Sequence, residues 1–285
     1  MNSIQLRQFI RDVLNEDVGA GDLTTESIVP AGHKSVAILL AKQDGVIAGL
    51  PVAEMVFQEL DPSIRFRIVV EEGERVSKGT EVARIEGLTR TILTGERVAL
   101  NLLQRMSGIA TLTRQLVDLV EGLPCHVLDT RKTTPGLRQL EKYAVRMGGG
   151  TNHRFGLSHG VMLKDNHIAM AGSIQKAVEA VRRRVGHMVQ VEVEADTLEQ
   201  VKEILTVDVN AILLDNMSVD TLREAVRLID RKVWVEASGG ITPETIRGIA
   251  ETGVDAVSLG FLTHSAQALD ISLDFVEELE GDSWQ

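Results

Sequence analysis

The second half of the sequence constrains the fold most strongly, because short apolar runs alternate there with amphipathic segments, one pair roughly every twenty to thirty residues. The candidate strands are HVLDT (126–130), VMLKDN (161–166), VQVEVE (189–194), AILLDN (211–216), VWVEAS (233–238) and AVSLG (256–260). Segments with helical periodicity, such as SIQKAVEAVRRR and VDTLREAVRLI, lie between them. Repeated strand–helix units with right-handed crossovers predict a parallel sheet, either a barrel or an open doubly wound sheet.

The residues that end these strands favour the barrel. Nearly every strand ends in a residue that can take part in binding or catalysis, namely Asp129, Lys164, Glu194, Asp215, Ser238 and Gly260. In β/α barrels the active site is assembled at the C-terminal ends of the strands. In VQVEVE three valines share one face, and Gln190, Glu192 and Glu194 share the other. A parallel strand covered by helices is normally apolar throughout, so a face of glutamates predicts a barrel mouth that meets a cationic partner.

The first half has a different pattern. Residues 4–14 have helical spacing, and residues 16–30 are rich in turn formers and predicted to be irregular. Residues 35–87 contain the β-like runs SVAILLAKQ, GVIAGL and IRFRIVVEEGERVSKGTEVARIEG. The run at 64–87 is similar to the hammerhead of biotinyl and lipoyl carrier domains but has no evident hairpin lysine, which favours a purely structural role. A helix is predicted over 94–122. We therefore expect an α+β sandwich-like domain over 1–110 and an α/β barrel over 111–285, with a tail (265–285) that packs back on the first domain.

Composition and charge narrow the class of protein. The 285 residues are 44% hydrophobic, and no apolar run approaches the roughly 20 residues needed to cross a bilayer. A net charge of −11 disfavours a nucleic-acid partner. A single cysteine, Cys125, excludes an internal disulfide and fits a reducing, cytoplasmic location.

One segment departs from the overall acidity. Between Asp129 and His167 the chain has seven Lys and Arg against three acidic residues. The segment predicts a pocket for a small anionic ligand, although a solvated helix face would have the same charge.

Two glycine turns predict a phosphate site. SGG (238–240) and SLG (258–260) each follow a candidate strand, and His264 lies just beyond the second. Backbone N–H groups in such turns bind phosphate, and the turns after the last strands are the usual phosphate site of a barrel.

Carboxylates and cations complete the predicted pocket. Glu194 and Asp215 end neighbouring strands, so they suit Mg²⁺ or ribose hydroxyls; ion pairs with Lys132 or Lys164 are the structural alternative. A basic set, which suits carboxylates and phosphates, comprises Arg131, Lys132, His153, Arg154 and Lys164. GGGTNHR (148–154) is predicted to be a flexible loop that wraps a ligand.

The segment LDTRKTTPGLRQLEKYAVRMGGGTNHRFGL (128–157), followed by LKDNHI (163–168), resembles the central signature of the quinolinate phosphoribosyltransferases. The resemblance extends in order from EDVGAGDLTT through TGERVALNLLQRMSGIAT to VEVE, LLDN, SGGI and SLGFLTHS, and so covers nearly the whole chain. It implies a sandwich-like N-terminal domain beside an incomplete barrel of about seven strands. It also implies transfer of phosphoribosyl from phosphoribosyl pyrophosphate to quinolinate, with loss of CO₂, to give nicotinate mononucleotide for NAD biosynthesis.

The resemblance also assigns roles to individual residues. The implied catalytic residues are Lys132, Lys164, Glu194 and Asp215, with Glu194 and Asp215 as the Mg²⁺ ligands. The implied substrate-binding residues are Arg97, Thr130, Arg131, Lys132, His153, Arg154, Lys164, Glu194, Asp215, Ser238, Gly239, Gly240, Ser258, Leu259, Gly260 and His264. Arg97 is implied to enter the site of a neighbouring subunit, which makes the minimal unit a homodimer.

Three alternatives remain at this point. A paralogous group associated with molybdenum transport shares the fold and parts of the TRK segment, but NHR, KDNH and VEVE favour the quinolinate enzyme. A Schiff-base lyase or aldolase would use Lys164 or Lys132 as its amine. A non-catalytic carrier or interaction module would leave the basic cluster unexplained.

Overall fold

A computed structural model describes residues 3–276, which contain eleven helices and twelve strands. The elements up to the long central helix are α1 (Ser3–Val18), α2 (Leu23–Ile28), β1 (Lys34–Ala41), β2 (Gly45–Val46), α3 (Leu50–Leu60), β3 (Arg65–Ile68), β4 (Arg75–Val76), β5 (Glu81–Leu88) and α4 (Thr89–Leu119). The remaining elements are β6 (His126–Leu128), α5 (Arg138–Met147), β7 (Val161–Leu163), α6 (Asp165–Ala171), α7 (Ile174–Arg182), β8 (Val191–Ala195), α8 (Leu198–Ile204), β9 (Ala211–Asp215), α9 (Val219–Ile229), β10 (Trp234–Ser238), α10 (Ile246–Ala250), β11 (Ala256–Ser258), α11 (Phe261–His264) and β12 (Ile271–Val276).

The chain divides into two compact units. The antiparallel unit comprises the described residues up to Leu112, the segment Gly136–Gly149 and the described residues from Ser265 onward. The barrel unit comprises Thr113–Pro135 and Gly150–His264. Each unit therefore contains segments that are distant in sequence, so the sequence-based division at residue 110 remains a prediction for the domain boundary.

The barrel unit is built on a six-stranded parallel sheet in the order β6-β11-β10-β9-β8-β7. All six candidate strands of the sequence are present, and Thr151 forms a parallel bridge with Leu128 at the free side of β6. The predicted incomplete α/β barrel is confirmed, although its sheet has six strands among the described residues where the resemblance implied about seven. Because the strands are parallel, their polar C-terminal residues all lie at one edge of the sheet.

The helices of the barrel unit follow their sequence signals. Ser173, Thr197 and Ser218 cap α7, α8 and α9 by accepting a hydrogen bond from a backbone N–H in the first turn. Their apolar faces are buried, as in α9, where Leu222, Ala225 and Ile229 are covered. These helices pack through their apolar faces and fix the position of the sheet, whose carboxyl edge contains the candidate site.

The antiparallel unit has a four-stranded sheet in the order β12-β1-β5-β3 and a small β2–β4 pair. The strand Ile271–Val276 pairs along β1 and so belongs to this sheet. The rest of the predicted tail, residues 277–285, lies outside the described residues.

Three local predictions in the first half need correction. Residues 16–30 are not wholly irregular, because Asp22 caps the short helix α2. The β-like run GVIAGL contributes only Gly45–Val46 to a strand, and Leu50 already begins α3 with Pro51 in its first turn. Helix α4 begins at Thr89, before the predicted start at residue 94. A continuous apolar run does not distinguish a strand from a buried helix.

Candidate active site

A cavity of about 750 Å³ opens at the carboxyl edge of the parallel sheet. It is lined by Thr130, Arg131, Lys132, His153, Arg154, Met162, Lys164, Glu194, Leu213, Asp215, Asn216, Glu236, Ser238, Gly239, Gly240, Ile241, Ser258, Leu259, Gly260, Phe261 and His264. Every substrate-binding residue predicted from the sequence, apart from Arg97, lies around this cavity. The lining combines cations, carboxylates and glycine turns, which suits a ligand with several anionic groups.

Arg97 lies in the third turn of α4, within the antiparallel unit. Its side chain is 62% exposed, and its guanidinium lies 4.0 Å from the carboxylate of Glu96. Arg97 is therefore a solvent-accessible cation outside the lining of the cavity.

Two glycine turns form one end of the cavity. Gly239 and Gly240 have φ values of 90° and 61°, a region that favours glycine. A Cβ on Gly260 would lie 2.7 Å from Cδ of Lys132, so this glycine allows the lysine stem to pass. The turn after β10 does not lead directly into a helix, because α10 begins only at Ile246. The second turn, by contrast, leads directly into α11 at Phe261.

Carboxylates occupy the ends of β8 and β9. Ligand oxygens of Glu194, Asp196 and Asp215 lie within 4.8 Å of one another. Lys164 Nζ donates to Glu194 Oε2 at 2.5 Å, so the predicted alternative of an ion pair with Lys164 is present. Asn216 Nδ2 donates to Asp215 Oδ2 at 2.7 Å. The arrangement offers oxygen ligands of the kind that hard cations and sugar hydroxyls use.

The cationic side is fixed by a buried aspartate. Asp129 is fully buried after β6 and accepts hydrogen bonds from the His153 backbone N–H at 2.9 Å and from Asn152. Thr151 N donates to Val127 O at 2.8 Å. Within the predicted ligand-wrapping loop, the Thr151 backbone therefore pairs with β6, and the Asp129 side chain holds Asn152 and the His153 N–H.

Arg154 is held close to other charges. Its Nη1 donates to Gly160 O at 2.8 Å. Burial, and after it the nearby Arg131 guanidinium, lowers the pKa of Arg154, whereas Glu192 opposes this effect. Two guanidinium groups brought together at a cavity wall are suited to an anionic ligand that relieves their repulsion.

Sequence reasoning missed Glu236, which lies on the cavity floor. Glu236 is 2% exposed, and its Oε1 has no hydrogen-bond partner among the described residues. Its Oε2 lies 3.5 Å from His153 Nε2, and Glu192 Oε2 lies 3.3 Å from the same nitrogen. The alternation in VWVEAS could have revealed it, because Glu236 and Ser238 share a strand face as Glu192 and Glu194 do.

The surroundings of Glu236 are unfavourable for its charged form. Burial, then the neighbouring Glu192 and to a smaller extent Asp129 raise the pKa of Glu236 to about 7, while His153 and Ser258 act in the opposite direction. His153 Nδ1 accepts a hydrogen bond from the Arg154 N–H at 2.6 Å. This bond leaves the ring proton on Nε2, where it faces the two glutamates.

Comparisons with known proteins identify the family. Residues 22–107 match the model for the quinolinate phosphoribosyl transferase N-terminal domain, and residues 109–274 match the C-terminal domain. A probable carboxylating nicotinate-nucleotide pyrophosphorylase of Bacillus subtilis is 46% identical over 275 residues, covering 96% of this chain and 94% of that protein.

A plant relative and a solved structure agree with these matches. A decarboxylating quinolinate phosphoribosyltransferase of Nicotiana tabacum, named as mitochondrial, is 44% identical and covers 96% of this chain and 83% of its own. The structure of the Francisella tularensis nicotinate-nucleotide pyrophosphorylase superposes with a TM-score of 0.93 at 35% identity, covering 97% of this chain and 98% of the other. The chain therefore belongs to the quinolinate phosphoribosyltransferase family.

Proposed function

We propose that this protein transfers the phosphoribosyl group of phosphoribosyl pyrophosphate to quinolinate and releases pyrophosphate, CO₂ and nicotinate mononucleotide. The observation that carries the proposal is the single cavity in which glycine turns, strand-end carboxylates and a cluster of cations meet. These three kinds of group correspond to the phosphate, the ribose and the anionic parts of the two substrates. Membership of the family supports the same reaction.

The glycine turns and carboxylates suit the phosphoribosyl donor. Ser238, Gly239, Gly240, Ser258 and Gly260 would bind the 5′-phosphate through backbone N–H groups. Glu194 and Asp215 would bind the ribose hydroxyls, and Lys132 the pyrophosphate.

Magnesium fits the carboxylate end of the cavity. Glu194, Asp196 and Asp215 place oxygen atoms close enough together for one hard cation, and Mg²⁺ typically uses one or two carboxylates plus substrate phosphate oxygens. Glu194 and Asp215 are the residues we expect to hold it. When bound, Mg²⁺ would neutralise the negative charge that accumulates on the departing pyrophosphate.

The cationic side suits quinolinate. Arg131, Arg154, His153 and Lys164 would hold its two carboxylates, and arginine forks bind carboxylates in a bidentate manner. The pyridine nitrogen supplies its own lone pair, so it attacks C1 of the ribose as the C1–pyrophosphate bond breaks. No protein nucleophile is needed, and catalysis depends on orientation and fixed charges.

Loss of CO₂ completes the reaction at the same wall of the cavity. The bond between C2 and its carboxylate breaks, and the electron pair remains on C2 beside the cationic ring nitrogen until C2 takes a proton. Nearby cations stabilise this electron density. Lys164 Nζ lies 2.5 Å from Glu194 Oε2, and this ion pair disfavours the Schiff-base alternative, which needs a free amine.

The proposed activity is tested with three acceptors. Purified protein is incubated with phosphoribosyl pyrophosphate and Mg²⁺ and with quinolinate, nicotinate or nicotinamide, and the mononucleotide product is measured. We expect quinolinate to be used and nicotinate to be poor, because a site built for two carboxylates leaves charges unpaired when one is missing. Equal kcat/KM values for nicotinate and quinolinate would refute the dicarboxylate site.

We also propose a homodimer in the cytoplasm. The support for the dimer is Arg97, an exposed cation that lies outside the cavity lining. A closed two-fold pair would let each subunit donate this arginine to its neighbour. Within residues 3–276, none of the helices combines the length and apolar character required to cross a bilayer.

A further inference from the structure

Asn216 has a backbone conformation that few side chains adopt. It follows the last residue of β9 with φ at 52°, in the left-handed region. Asn is among the residues that tolerate this region best after glycine, but the conformation remains uncommon. Something in its surroundings must hold it there.

The backbone of Asn216 joins two strand ends. Asp215 and Ser238 are aligned partners at the ends of β9 and β10. The N–H of Asn216 donates to Ser238 O at 2.9 Å, which extends the pairing of the two strands beyond their last aligned residues. The position of Asn216 is therefore tied to the turn that begins at Ser238.

The side chain of Asn216 contacts both the Asp215 carboxylate and the turn at Gly239. Its Nδ2 donates to Asp215 Oδ2 at 2.7 Å and so fixes one oxygen of that carboxylate. Its Oδ1 occupies the space beside Gly239, where an added Cβ would lie only 2.2 Å away. The backbone nitrogen of Asn216 would be 2.9 Å from the same Cβ, so the two turns interlock.

We propose that Asn216 is a positioning residue for the phosphoribosyl donor, aligning the Asp215 carboxylate and the Gly239–Gly240 turn with each other. This inference rests on the proposed function. In this arrangement the Asp215 carboxylate faces the ribose and the Gly239–Gly240 turn faces the 5′-phosphate. The Asn216 side chain therefore sets the spacing between the carboxylate and the turn. Arg154 and Lys164, which are assigned to quinolinate, donate to Gly160 and Glu194 rather than to Asn216, so quinolinate binding should be unaffected.

The decisive variant is Asn216→Gly, because glycine adopts the observed φ without strain and removes only the side chain. We expect the KM for phosphoribosyl pyrophosphate, at saturating quinolinate, to rise by roughly 10- to 100-fold. The KM for quinolinate, and its binding to the free enzyme by calorimetry, should stay within about twofold. Asn216→Asp keeps the size but cannot donate to Asp215, so it should show the same selective rise.

Asp230→Gly is the matched control, because Asp230 also has a left-handed φ of 48° but caps α9 and does not line the cavity. It should leave both KM values unchanged. An unchanged donor KM in Asn216→Gly, or equal increases for both substrates, would overturn the positioning role. Wild-type behaviour of Asn216→Asp would overturn the hydrogen bond as its basis. If wild-type protein makes no product, the proposed function fails first, and the inference fails with it.

Discussion

Two buried glutamates, one in each unit, have opposite surroundings. In the antiparallel unit Glu141 is fully buried and accepts hydrogen bonds from Arg105, with Nη2 at 2.8 Å and Nε at 3.3 Å. In the barrel unit Glu236 is equally buried, but one oxygen has no hydrogen-bond partner among the described residues and a second glutamate lies nearby. Buried polar groups in native structures are normally paired, so an exception calls for an explanation. The contrast indicates that Glu141 stabilises the fold, whereas Glu236 belongs to the site.

The same contrast applies to the sheets. Charged residues on the antiparallel strands form exposed pairs such as Arg65–Glu86, whose side chains are 68% and 28% exposed. Such pairs contribute little to stability. On the parallel strands the acidic residues Glu192 and Glu236 point inward and are almost fully covered. Charged residues on a strand face cost little free energy where the face is exposed, but they are unfavourable where a barrel covers them. Barrels retain such residues where they bind ligands.

The largest expected effect, that of Arg97→Ala, tests whether the barrel unit alone contributes to catalysis. Arg97 belongs to the antiparallel unit, so a catalytic role for it means that this unit contributes to chemistry in a neighbour. Losing a charge that pairs with a desolvated carboxylate costs about 2–5 kcal/mol, which predicts a severe loss of kcat/KM in Arg97→Ala. Arg7→Ala is the matched control, because its cation is also exposed and lies in the same unit.

Complementation shows which subunit Arg97 serves. Inactive Arg97→Ala and inactive Lys132→Ala proteins are mixed under conditions that allow subunits to exchange. In a mixed dimer one site carries both defects and the other is intact, so activity should rise towards about a quarter of wild type. If exchange is demonstrated and the mixture stays inactive, Arg97 serves its own subunit and the shared site is wrong.

Asp215→Asn should affect activity and leave the fold intact. Asp215 lies at a strand end, half-buried at the cavity, where its charge is available to the donor. We expect a loss of roughly 10²–10³-fold in kcat, because a fixed charge is removed from the reacting region. Thermal unfolding measured beside the assay should change little. An active Asp215→Asn enzyme, or full wild-type turnover in excess chelator, would remove Asp215 and Mg²⁺ from the mechanism.

Glu141→Gln should lower stability and leave activity intact, which is the reverse of the effect expected for Asp215→Asn. It leaves the Arg105 guanidinium beside a neutral amide in a buried setting, which should lower the free energy of unfolding by about 3 kcal/mol. Urea denaturation measures this loss, and kcat at low temperature should be retained. The matched control is Glu86→Gln in the exposed pair with Arg65, where a change below about 0.5 kcal/mol is expected. Similar losses in both variants would contradict the special role of the buried pair.

The sequence predicted the strands of the barrel because each one is short, apolar and bounded by turn formers. It also predicted most of the cavity lining, since parallel strands bring their C-terminal residues together whatever the details of packing. It did not predict α5, because the residues of this helix were interpreted only as part of the family signature at 128–157. It also did not predict the pairing of Thr151 with β6.

Asn216 and Glu236 were missed for a related reason. The importance of Asn216 comes from a left-handed φ and from the missing Cβ of Gly239, which are properties of the folded backbone. Glu236 resembles any other polar residue in an alternating strand until the barrel covers it. Sequence patterns locate the edge of the sheet, whereas the contacts that align its residues depend on tertiary structure.

The smallest expected effect is a gain in stability from Glu236→Gln. The pKa of Glu236 is about 7 in the folded protein, against an ordinary value of 4.5, because burial and Glu192 disfavour its charge. A pKa that is raised on folding means that this group destabilises the fold as pH rises from about 4.5 to about 7, with the full penalty above that range. Glutamine carries no charge, and its amide can donate to Glu192. We therefore expect Glu236→Gln to be more stable than wild type at pH 8 by on the order of 1–2 kcal/mol, and equal to it near pH 4.5. Unfolding free energies measured across this range, with Glu141→Gln alongside, give the comparison directly. If Glu236→Gln is destabilised at pH 8 as Glu141→Gln is, Glu236 is a paired structural acid and the contrast between the two units is wrong.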